Sequence, residues 1–272
     1  MAAEKNRNSR KHDSLELPKH KHGSEMSYVS TGTPGLDKLF AKNGVPVGSS
    51  VIIAGGAGSG KTILCLQLLA YHASRGKTCL YMSFEEDEGC LMNHMRDFGW
   101  DPDRLIKAGT LKIKKYSPFD VSRSVEAVLA KECGELMIDL DPVILQEDKK
   151  FDIIVLDSLT AVASIFMGRD ETYRIYVTQL FRLLEQAGST SFMTTETREI
   201  PEVFSTTGTE EFLADGVIVL YNARRGNIRE SAIEVLKMRG EKHEKKLVAM
   251  EITDKGVVVY PEQEALGLAN ED

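Results

Sequence analysis

The chain has 272 residues, of which 42% are hydrophobic, and it carries a formal net charge of −7. This length and composition allow one large α/β domain or two small ones, with a sizeable buried core. No apolar run reaches the roughly 18 residues of a membrane span, and the N-terminus lacks the apolar segment of a secretory signal, so we predict a cytoplasmic protein without membrane contact. The negative charge argues mildly against an electrostatic grip on nucleic acid over the whole surface, though not against a local one.

Both ends of the chain are predicted to lie outside one folded domain. Residues 1–27 are polar, and because so few apolar side chains can offset the entropy of ordering, we expect a disordered tail. Residues 28–260 contain no internal repeat and are predicted to form a single domain, which an acidic tail at 261–272 follows. The cysteines show no CxxC spacing, which favours reduced thiols over a metal or redox site.

A glycine-rich loop between a strand and a helix is the strongest motif. The apolar run 51–54 predicts a buried strand, residues 63–69 predict a helix, and between them lies Gly55-Gly56-Ala57-Gly58-Ser59-Gly60-Lys61-Thr62. This matches the phosphate-binding pattern GxxxxGK[ST], in which glycines remove Cβ atoms and allow positive φ, so that the backbone can wrap a polyphosphate at a helix N-terminus. Lys61 is expected to reach the β- and γ-phosphates, and Thr62 to ligate Mg²⁺. The motif therefore predicts nucleotide binding rather than an accidental glycine turn.

A pair of glutamates follows the second predicted strand. Residues 77–84 read as a strand, Glu85 and Glu86 come directly after it, and a helix is predicted over 89–98. In open α/β sheets the ligand lies outside the carboxyl ends of the strands, which gives these acids a catalytic interpretation. Carboxylates also favour helix N-termini, so the structural interpretation stays open.

A second strand-end carboxylate is Asp157. The aliphatic run 153–156 predicts a buried strand that ends at this residue. Behind a phosphate-binding loop, an Asp in this position can hold Mg²⁺ directly or through water, beside the Thr62 hydroxyl. The alternative is an Asp that caps the next turn, and the loop favours the metal role.

The remaining segments complete an α/β pattern. Strands are predicted at 110–116, 191–196, 216–221, 231–240 and 246–260, the last with a turn at 253–256, and helices at 36–40, 121–133 and 173–184. Asp141 is predicted to be an N-cap, and 197–210 a polar loop. The buried apolar strands predict a mostly parallel, doubly wound sheet. The late strands alternate in polarity, so we predict that these C-terminal strands are antiparallel.

Several motifs together resemble those of one protein family. They are the glycine-rich loop, Glu85-Glu86, Asp157-Ser158, Thr194-Thr195-Glu196, and Lys237-Met238-Arg239-Gly240-Glu241-Lys242-His243. The combination resembles a single-domain KaiC-like ATPase of the RecA superfamily, which also contains the archaeal RadA paralogues. Residues 30–37 also fit, and the resemblance covers roughly residues 28–260. The glycine-rich loop alone would not single out this family, whereas the paired glutamates with the late Lys-x-Arg-Gly-x-x-His run are much more specific.

The resemblance implies a RecA-like P-loop NTPase core that binds ATP and Mg²⁺. Such proteins form homo-oligomeric rings, commonly hexamers, with ATP between neighbours. The nucleotide-binding residues implied in the loop are Gly55, Gly56, Ala57, Gly58, Ser59, Gly60, Lys61, Thr62 and Ile63. The implied metal ligands are Thr62 and Asp157.

The resemblance also implies a catalytic set that two subunits share. Glu85, assisted by Glu86, would activate the attacking water, while Lys237 and Arg239 would join Lys61 at the γ-phosphate from the adjacent subunit. A cation supplied in trans can accelerate phosphoryl transfer by orders of magnitude. Further positions match nucleotide contacts from that side, namely Met238, Glu241, His243, Thr253 and Asp254. Without the resemblance, Lys237 and Arg239 would be interpreted as residues on the solvent-exposed face of a strand.

A recombinase-accessory protein is an alternative function. Such a RadA-paralogue type would bind single-stranded DNA or a RecA-like partner and use ATP as an assembly signal. Its binding loops would be 159–171 and 197–211, whose cations are mainly Arg169 and Arg198 and whose candidate aromatics are Phe166 and Phe204. A groove that tracks a strand usually needs more of both.

An autokinase is the other alternative. Clock-type members phosphorylate an adjacent Ser-Thr pair in a second domain. When the late strand 215–220 is aligned with that domain, Glu211 and Phe212 occupy the positions of the Ser-Thr pair. Thr206 and Thr207 lie close but out of register. This mismatch and the single ATPase domain argue against clock-type autophosphorylation. An ATP sensor with negligible turnover also remains open.

Overall fold

The computed structural model describes residues 27–118, 150–197, 204–205, 208–225 and 227–265. The helix predicted over 121–133, the N-cap predicted at Asp141 and most of both predicted tails lie outside these residues.

The described residues form an alternating series of strands and helices. The strands are β1 (Tyr28–Val29), β2 (Val45–Pro46), β3 (Ser50–Gly55), β4 (Cys79–Ser83), β5 (Leu111–Lys115), β6 (Ile153–Asp157), β7 (Thr190–Glu196), β8 (Gly216–Arg225), β9 (Ile228–Met238), β10 (Val248–Thr253) and β11 (Gly256–Glu264). The helices are α1 (Lys61–Ala73), α2 (Glu88–Asp97), α3 (Pro102–Lys107), α4 (Leu159–Ser164), α5 (Asp170–Ala187) and α6 (Thr209–Leu213), with a 3₁₀ helix at Leu36–Leu39.

One large sheet organises the fold. Its nine strands lie in the order β11-β10-β9-β8-β3-β7-β6-β4-β5, and β1 and β2 form a separate antiparallel pair. From β8 to β5 every neighbouring pair is parallel, whereas β8–β9, β9–β10 and β10–β11 are antiparallel. The structure thus confirms the predicted α/β class, a mostly parallel sheet with antiparallel C-terminal strands.

Helices cover both faces of this sheet. Helices α1 to α3 pack on one face over a core that includes Leu64, Leu68 and Leu105. Helices α4 and α5 pack on the other face, where Val162 and Val177 are buried. A parallel sheet covered on both sides leaves its central strands without a wet face, which is why all six residues of β3 are buried.

Short helices lie where the sequence analysis predicts none. Helix α3 begins after Asp101, whose carboxylate accepts the Arg104 N–H at 3.0 Å. Helix α4 begins after Ser158, whose hydroxyl oxygen accepts the Ala161 N–H at 3.1 Å. Helix α6 begins at Thr209, inside the predicted polar loop 197–210, and continues beyond it to Leu213. These helices are only five or six residues long, so they are too short to show helical periodicity, and only α3 and α4 have a side-chain cap that could have indicated them.

The C-terminal strands run further than predicted. Strand β8 continues to Arg225, and β11 continues to Glu264, which pairs with Val248 beyond a bulge. The start of the acidic tail at Pro261 is therefore corrected, because residues 261–264 belong to β11.

Candidate active site

A cleft of about 320 Å³ opens at the carboxyl ends of the parallel strands. Its lining residues are Ala57, Gly58, Gly60, Lys61, Thr62, Ile63, Glu85, Asp157, Ser158, Glu196 and Ile252. Parallel strands end at the same edge of a sheet, so acids that are distant in the sequence come together there. The predicted phosphate loop, one of the two predicted glutamates and the predicted metal ligand all share this cleft.

The glycine-rich loop packs too closely for side chains at two of its glycines. A Cβ atom at Gly60 would lie 2.8 Å from Ile252 Cδ1, and one at Gly55 would lie 2.6 Å from the Leu220 carbonyl oxygen. Gly60 also has a φ of 97°, in the left-handed region that favours glycine. Helix α1 begins directly after it, so the positive end of the helix dipole faces the place where phosphates would bind.

Lys61 is a buried cation on the wall of the cleft. It is only 9% exposed, and its Nζ donates hydrogen bonds to the carbonyl oxygens of Gly55 at 2.9 Å and Gly56 at 3.0 Å. Burial lowers the pKa of Lys61, and the nearby carboxylates, Glu196 foremost, act against that shift. Phosphate oxygens would form stronger, charge-assisted hydrogen bonds with this ammonium group than the two carbonyls do.

The carboxylate of Asp157 lies beside the hydroxyl of Thr62. Thr62 Oγ1 donates to Asp157 Oδ2 at 3.0 Å, and Asp157 is only 7% exposed. Mg²⁺ usually takes one or two protein oxygen ligands together with phosphate oxygens and water. This pair at the mouth of a phosphate loop fits that donor set, so Thr62 and Asp157 are the residues that would hold the ion.

The two predicted glutamates point to different places. Glu85 lines the cleft and accepts a hydrogen bond from Ser158 Oγ, and partial burial of its carboxyl group raises its pKa. Glu86 does not line the cleft, because its Oε2 bonds to His94 Nε2 of α2 at 2.9 Å. The geometry therefore brings Glu85 to the site and leaves Glu86 at the base of α2.

Lys237 and Arg239 lie away from the cleft of their own chain. Lys237 Nζ donates to the carbonyl oxygens of Glu211 at 2.8 Å and Ala214 at 2.7 Å. The Arg239 guanidinium donates to the carbonyls of Phe212 and Leu213. Both cations thus cap the last carbonyls of α6, which have no partner within the helix. Burial lowers the pKa of Lys237.

Three of the other predicted nucleotide contacts also lie away from this cleft. Met238 is buried against Gly216, the Glu241 carboxylate accepts the Lys42 N–H at 2.6 Å, and His243 forms an isolated bridge with Phe40. None of the three lines the cleft of its own chain.

Thr253 and Asp254 lie at the tip of the β10–β11 hairpin, and neither lines the cleft of its own chain. Thr253 Oγ1 donates to the Gly256 carbonyl at 2.9 Å across the turn. Their neighbour Ile252 lines the cleft next to Gly60. Contact of these two residues with a nucleotide from the adjacent subunit stays a prediction.

Some site residues were missed. Glu196, which the sequence analysis named in the Thr194-Thr195-Glu196 motif without giving it a site role, ends β7 at the cleft, and the strand-end argument used for Asp157 applies to it. Tyr81, which donates to Asp157, lies in an apolar strand and reads as a core residue. Ile252 carries no signal, because its approach to Gly60 depends on how the late hairpin folds over the loop.

The structure removes one support for the DNA-binding alternative. Phe166 is 2% exposed and stacks on Tyr176 with a ring-centroid distance of 5.5 Å, so it belongs to the core and cannot stack on a base. Phe204 packs partly buried against the same core. Arg198, Thr206 and Thr207 lie outside the described residues.

Comparison with known proteins identifies the family. The family model described as "ATPase: KaiC" matches residues 29–264. The chain belongs to the KaiC family of ATPases. This membership supports an ATP-binding P-loop ATPase with a RecA-like fold.

Individual relatives agree with this family. The circadian clock protein KaiC3 of Synechocystis sp. is 33% identical over 86% of the chain and 45% of the relative, and the circadian clock oscillator protein KaiC of Synechococcus elongatus is 30% identical over 91% and 47%. The chain thus spans about half the length of the curated relatives it matches. The crystal structure of the KaiC-like protein PH0186 from the archaeon Pyrococcus horikoshii matches with a TM-score of 0.70 at 29% identity, over 87% of the chain and 100% of that protein. Within the described ranges, none of the helices combines the length and apolarity that crossing a bilayer requires.

Proposed function

We propose that this KaiC-family chain hydrolyses ATP with Mg²⁺ in a homo-oligomeric ring, by analogy a hexamer, whose active sites are shared between subunits. One observation carries the proposal. Lys61, the Thr62–Asp157 pair and Glu85 meet in a single cleft, and among the described residues that line it Lys61 supplies the one cation. Phosphoryl transfer needs more positive charge around the γ-phosphate than one buried lysine provides.

Each cleft residue has a distinct task in this proposal. Lys61 would bind the β- and γ-phosphates, and Thr62 with Asp157 would hold Mg²⁺, which neutralises phosphate charge when bound. Glu85 would accept the proton of the attacking water, and the hydrogen bond from Ser158 fixes one of its oxygens and leaves the other for that water. The raised pKa of Glu85 makes the carboxylate a stronger base than an exposed glutamate.

Lys237 and Arg239 would complete the neighbouring site. In one chain they bond to neutral backbone carbonyls at the end of α6, and Arg239 also lies 3.6 Å from the Asp215 carboxylate. A phosphate offers stronger, charge-assisted hydrogen bonds, so both side chains could exchange the carbonyls for a γ-phosphate presented by an adjacent subunit. The clock role in the relatives' names belongs to proteins about twice as long, and the proposal is limited to ATP turnover.

A subunit-mixing experiment tests the sharing of sites. Lys61→Ala subunits would lack phosphate binding, and Arg239→Ala subunits would lack the cation in trans, so each variant alone should be nearly inactive. A mixed interface can pair an intact loop from one variant with an intact Arg239 from the other. In a random one-to-one mixture we expect activity to return at roughly a quarter of the interfaces.

An exposed arginine away from the cleft provides the control for this experiment. Arg182→Ala changes an exposed arginine of α5 and should keep wild-type activity both alone and in mixtures. An inactive mixture, or an Arg239→Ala variant as active as Arg182→Ala, would contradict shared sites while leaving the phosphate loop intact.

A further inference from the structure

Three side chains from three elements hold the carboxylate of Asp157. Thr194 of β7 donates to Oδ1, while Tyr81 of β4 and Thr62 of α1 donate to Oδ2, at 2.5 Å and 3.0 Å. Thr62 lines the cleft, but Tyr81 and Thr194 do not, and each of these two is 0% exposed. The Asp157 carboxylate is therefore fixed from inside the core by two residues that do not line the cleft.

The strand register brings Tyr81 under Asp157. Ser83 of β4 is the direct partner of Asp157 on β6, and Tyr81 pairs with Val155 two residues earlier, on the same face of the sheet. Diagonal neighbours of this kind lie within reach of a long aromatic side chain. The phenol hydroxyl consequently meets the carboxylate at the end of the next strand.

Packing alone does not explain a tyrosine at this position. A phenylalanine would fill the same apolar space, whereas a buried phenol hydroxyl without an acceptor is costly. The terminal torsion of an aspartate is broad, so a carboxylate held at one oxygen can still turn. Hydrogen bonds to both oxygens fix its plane, and they leave Oδ2 beside Thr62 Oγ1.

We propose that Tyr81 is a positioning residue for the metal site, which orients the Asp157 carboxylate so that Oδ2 and Thr62 Oγ1 together receive Mg²⁺. Thr194 holds the other oxygen and acts with it. This inference rests on the proposed function, because it concerns the affinity of the same site for its metal ion. Tyr81 does not line the cleft, so it would act only through Asp157.

The test measures metal affinity rather than turnover. The full chain is titrated with Mg²⁺ in the presence of a fluorescent ADP analogue, methylanthraniloyl-ADP, and binding of the same probe is measured in EDTA. Tyr81→Phe should raise the Mg²⁺ concentration at half-saturation by roughly tenfold or more, the effect of losing one hydrogen bond to a charged group. Probe affinity in EDTA should not change, because Lys61 and the loop are intact.

Matched variants separate positioning from general damage. Tyr176→Phe removes another buried hydroxyl, one without a hydrogen-bond partner in the described part of the chain, and should leave the Mg²⁺ titration unchanged. Thr194→Val should weaken Mg²⁺ binding as Tyr81→Phe does. Thr194→Ser keeps the hydroxyl group and should bind Mg²⁺ like wild type. This second pair keeps the proposal testable if Tyr81→Phe does not fold.

The outcomes distinguish the two proposals. If the wild-type chain binds the probe with Mg²⁺ dependence, but Tyr81→Phe and Thr194→Val titrate like wild type or more tightly, the positioning role is overturned. Equal weakening with and without Mg²⁺ would mean a structural role and would overturn it as well. If the wild-type chain does not bind the probe at all, the proposed function itself fails.

Discussion

Glu85 and Lys61 share the cleft, and burial shifts the pKa of each in the direction that favours its neutral form. Burial raises the pKa of the Glu85 carboxyl group and lowers that of the Lys61 ammonium group. A bound nucleotide would change this balance, because its phosphates favour the charged lysine. At the residue scale, the cleft thus holds an acid suited to proton transfer next to a cation suited to phosphate.

Replacing Glu85 by glutamine should separate binding from hydrolysis. Glu85→Gln keeps the shape of the side chain but cannot accept the proton of the attacking water, so ATP turnover should fall about 10²- to 10⁴-fold while nucleotide affinity stays near wild type. Steady-state phosphate release and probe binding measure the two quantities. Glu86→Gln is the neighbouring control, and because Glu86 faces His94, its loss of turnover should be much smaller.

The pH profile follows from the direction of the Glu85 shift. The base works only when deprotonated, so activity should rise as pH passes upward through a pKa that lies above the ordinary glutamate value. For stability, a raised acid pKa means that the folded chain disfavours the ionised carboxylate at neutral pH. Glu85→Gln should therefore gain stability over wild type at neutral pH, and the gain should vanish at acid pH. An acid limb at the ordinary glutamate pKa would contradict this role.

At the scale of elements, the β10–β11 hairpin is tied to the helix that follows the phosphate loop. Gln67 of α1 donates from Nε2 to the Val257 carbonyl at 3.1 Å and accepts the Val257 N–H with Oε1 at 2.6 Å. Gly256 is needed beside it, since a Cβ there would lie 2.3 Å from Gln67 Oε1. Because Ile252 on this hairpin lines the cleft, Gln67 fixes one wall of the cleft relative to α1.

Removing this contact should loosen the hairpin. Gln67→Leu leaves the buried N–H and C=O groups of Val257 without partners, and we expect the free energy of unfolding to fall by about 2–4 kcal/mol. Urea denaturation measures the change. Gln186→Leu, on the exposed face of α5, is the matched control and should stay within about 0.5 kcal/mol of wild type. Equal stability of the two variants would show that the contact contributes nothing.

At the scale of the whole molecule, the separation of Lys237 and Arg239 from their own cleft predicts that activity depends on assembly. Turnover per subunit should rise with protein concentration in step with the assembled fraction, as measured by mass photometry on the same samples. Arg239→Ala should remain nearly inactive at every concentration. A monomer with full turnover would contradict the proposal, and an assembled protein that binds ATP without turnover would indicate a switch or sensor.

Much of the fold could be predicted because its signals are local. Buried parallel strands read as apolar runs, and Asp157 marks the point where such a run meets the ligand edge. The short helices α3, α4 and α6 were missed because five or six residues cannot show a helical period. The extension of β11 to Glu264 was missed because residues 261–264 do not continue the apolar alternation, and Glu264 pairs with Val248 only beyond a bulge.

The sequence by itself determined the phosphate loop. Gly60 can adopt a positive φ and accept Ile252 close to its Cα because glycine has no Cβ atom. The sequence also determined the strand-end positions of Glu85 and Asp157. Only the tertiary structure decided that Glu86 turns to His94, that Phe166 is core, and that Tyr81 holds Asp157. The physical reason is that a glycine allows positive φ whatever surrounds it, whereas these side-chain contacts depend on how the elements pack and, for Tyr81 and Asp157, on strand order and register.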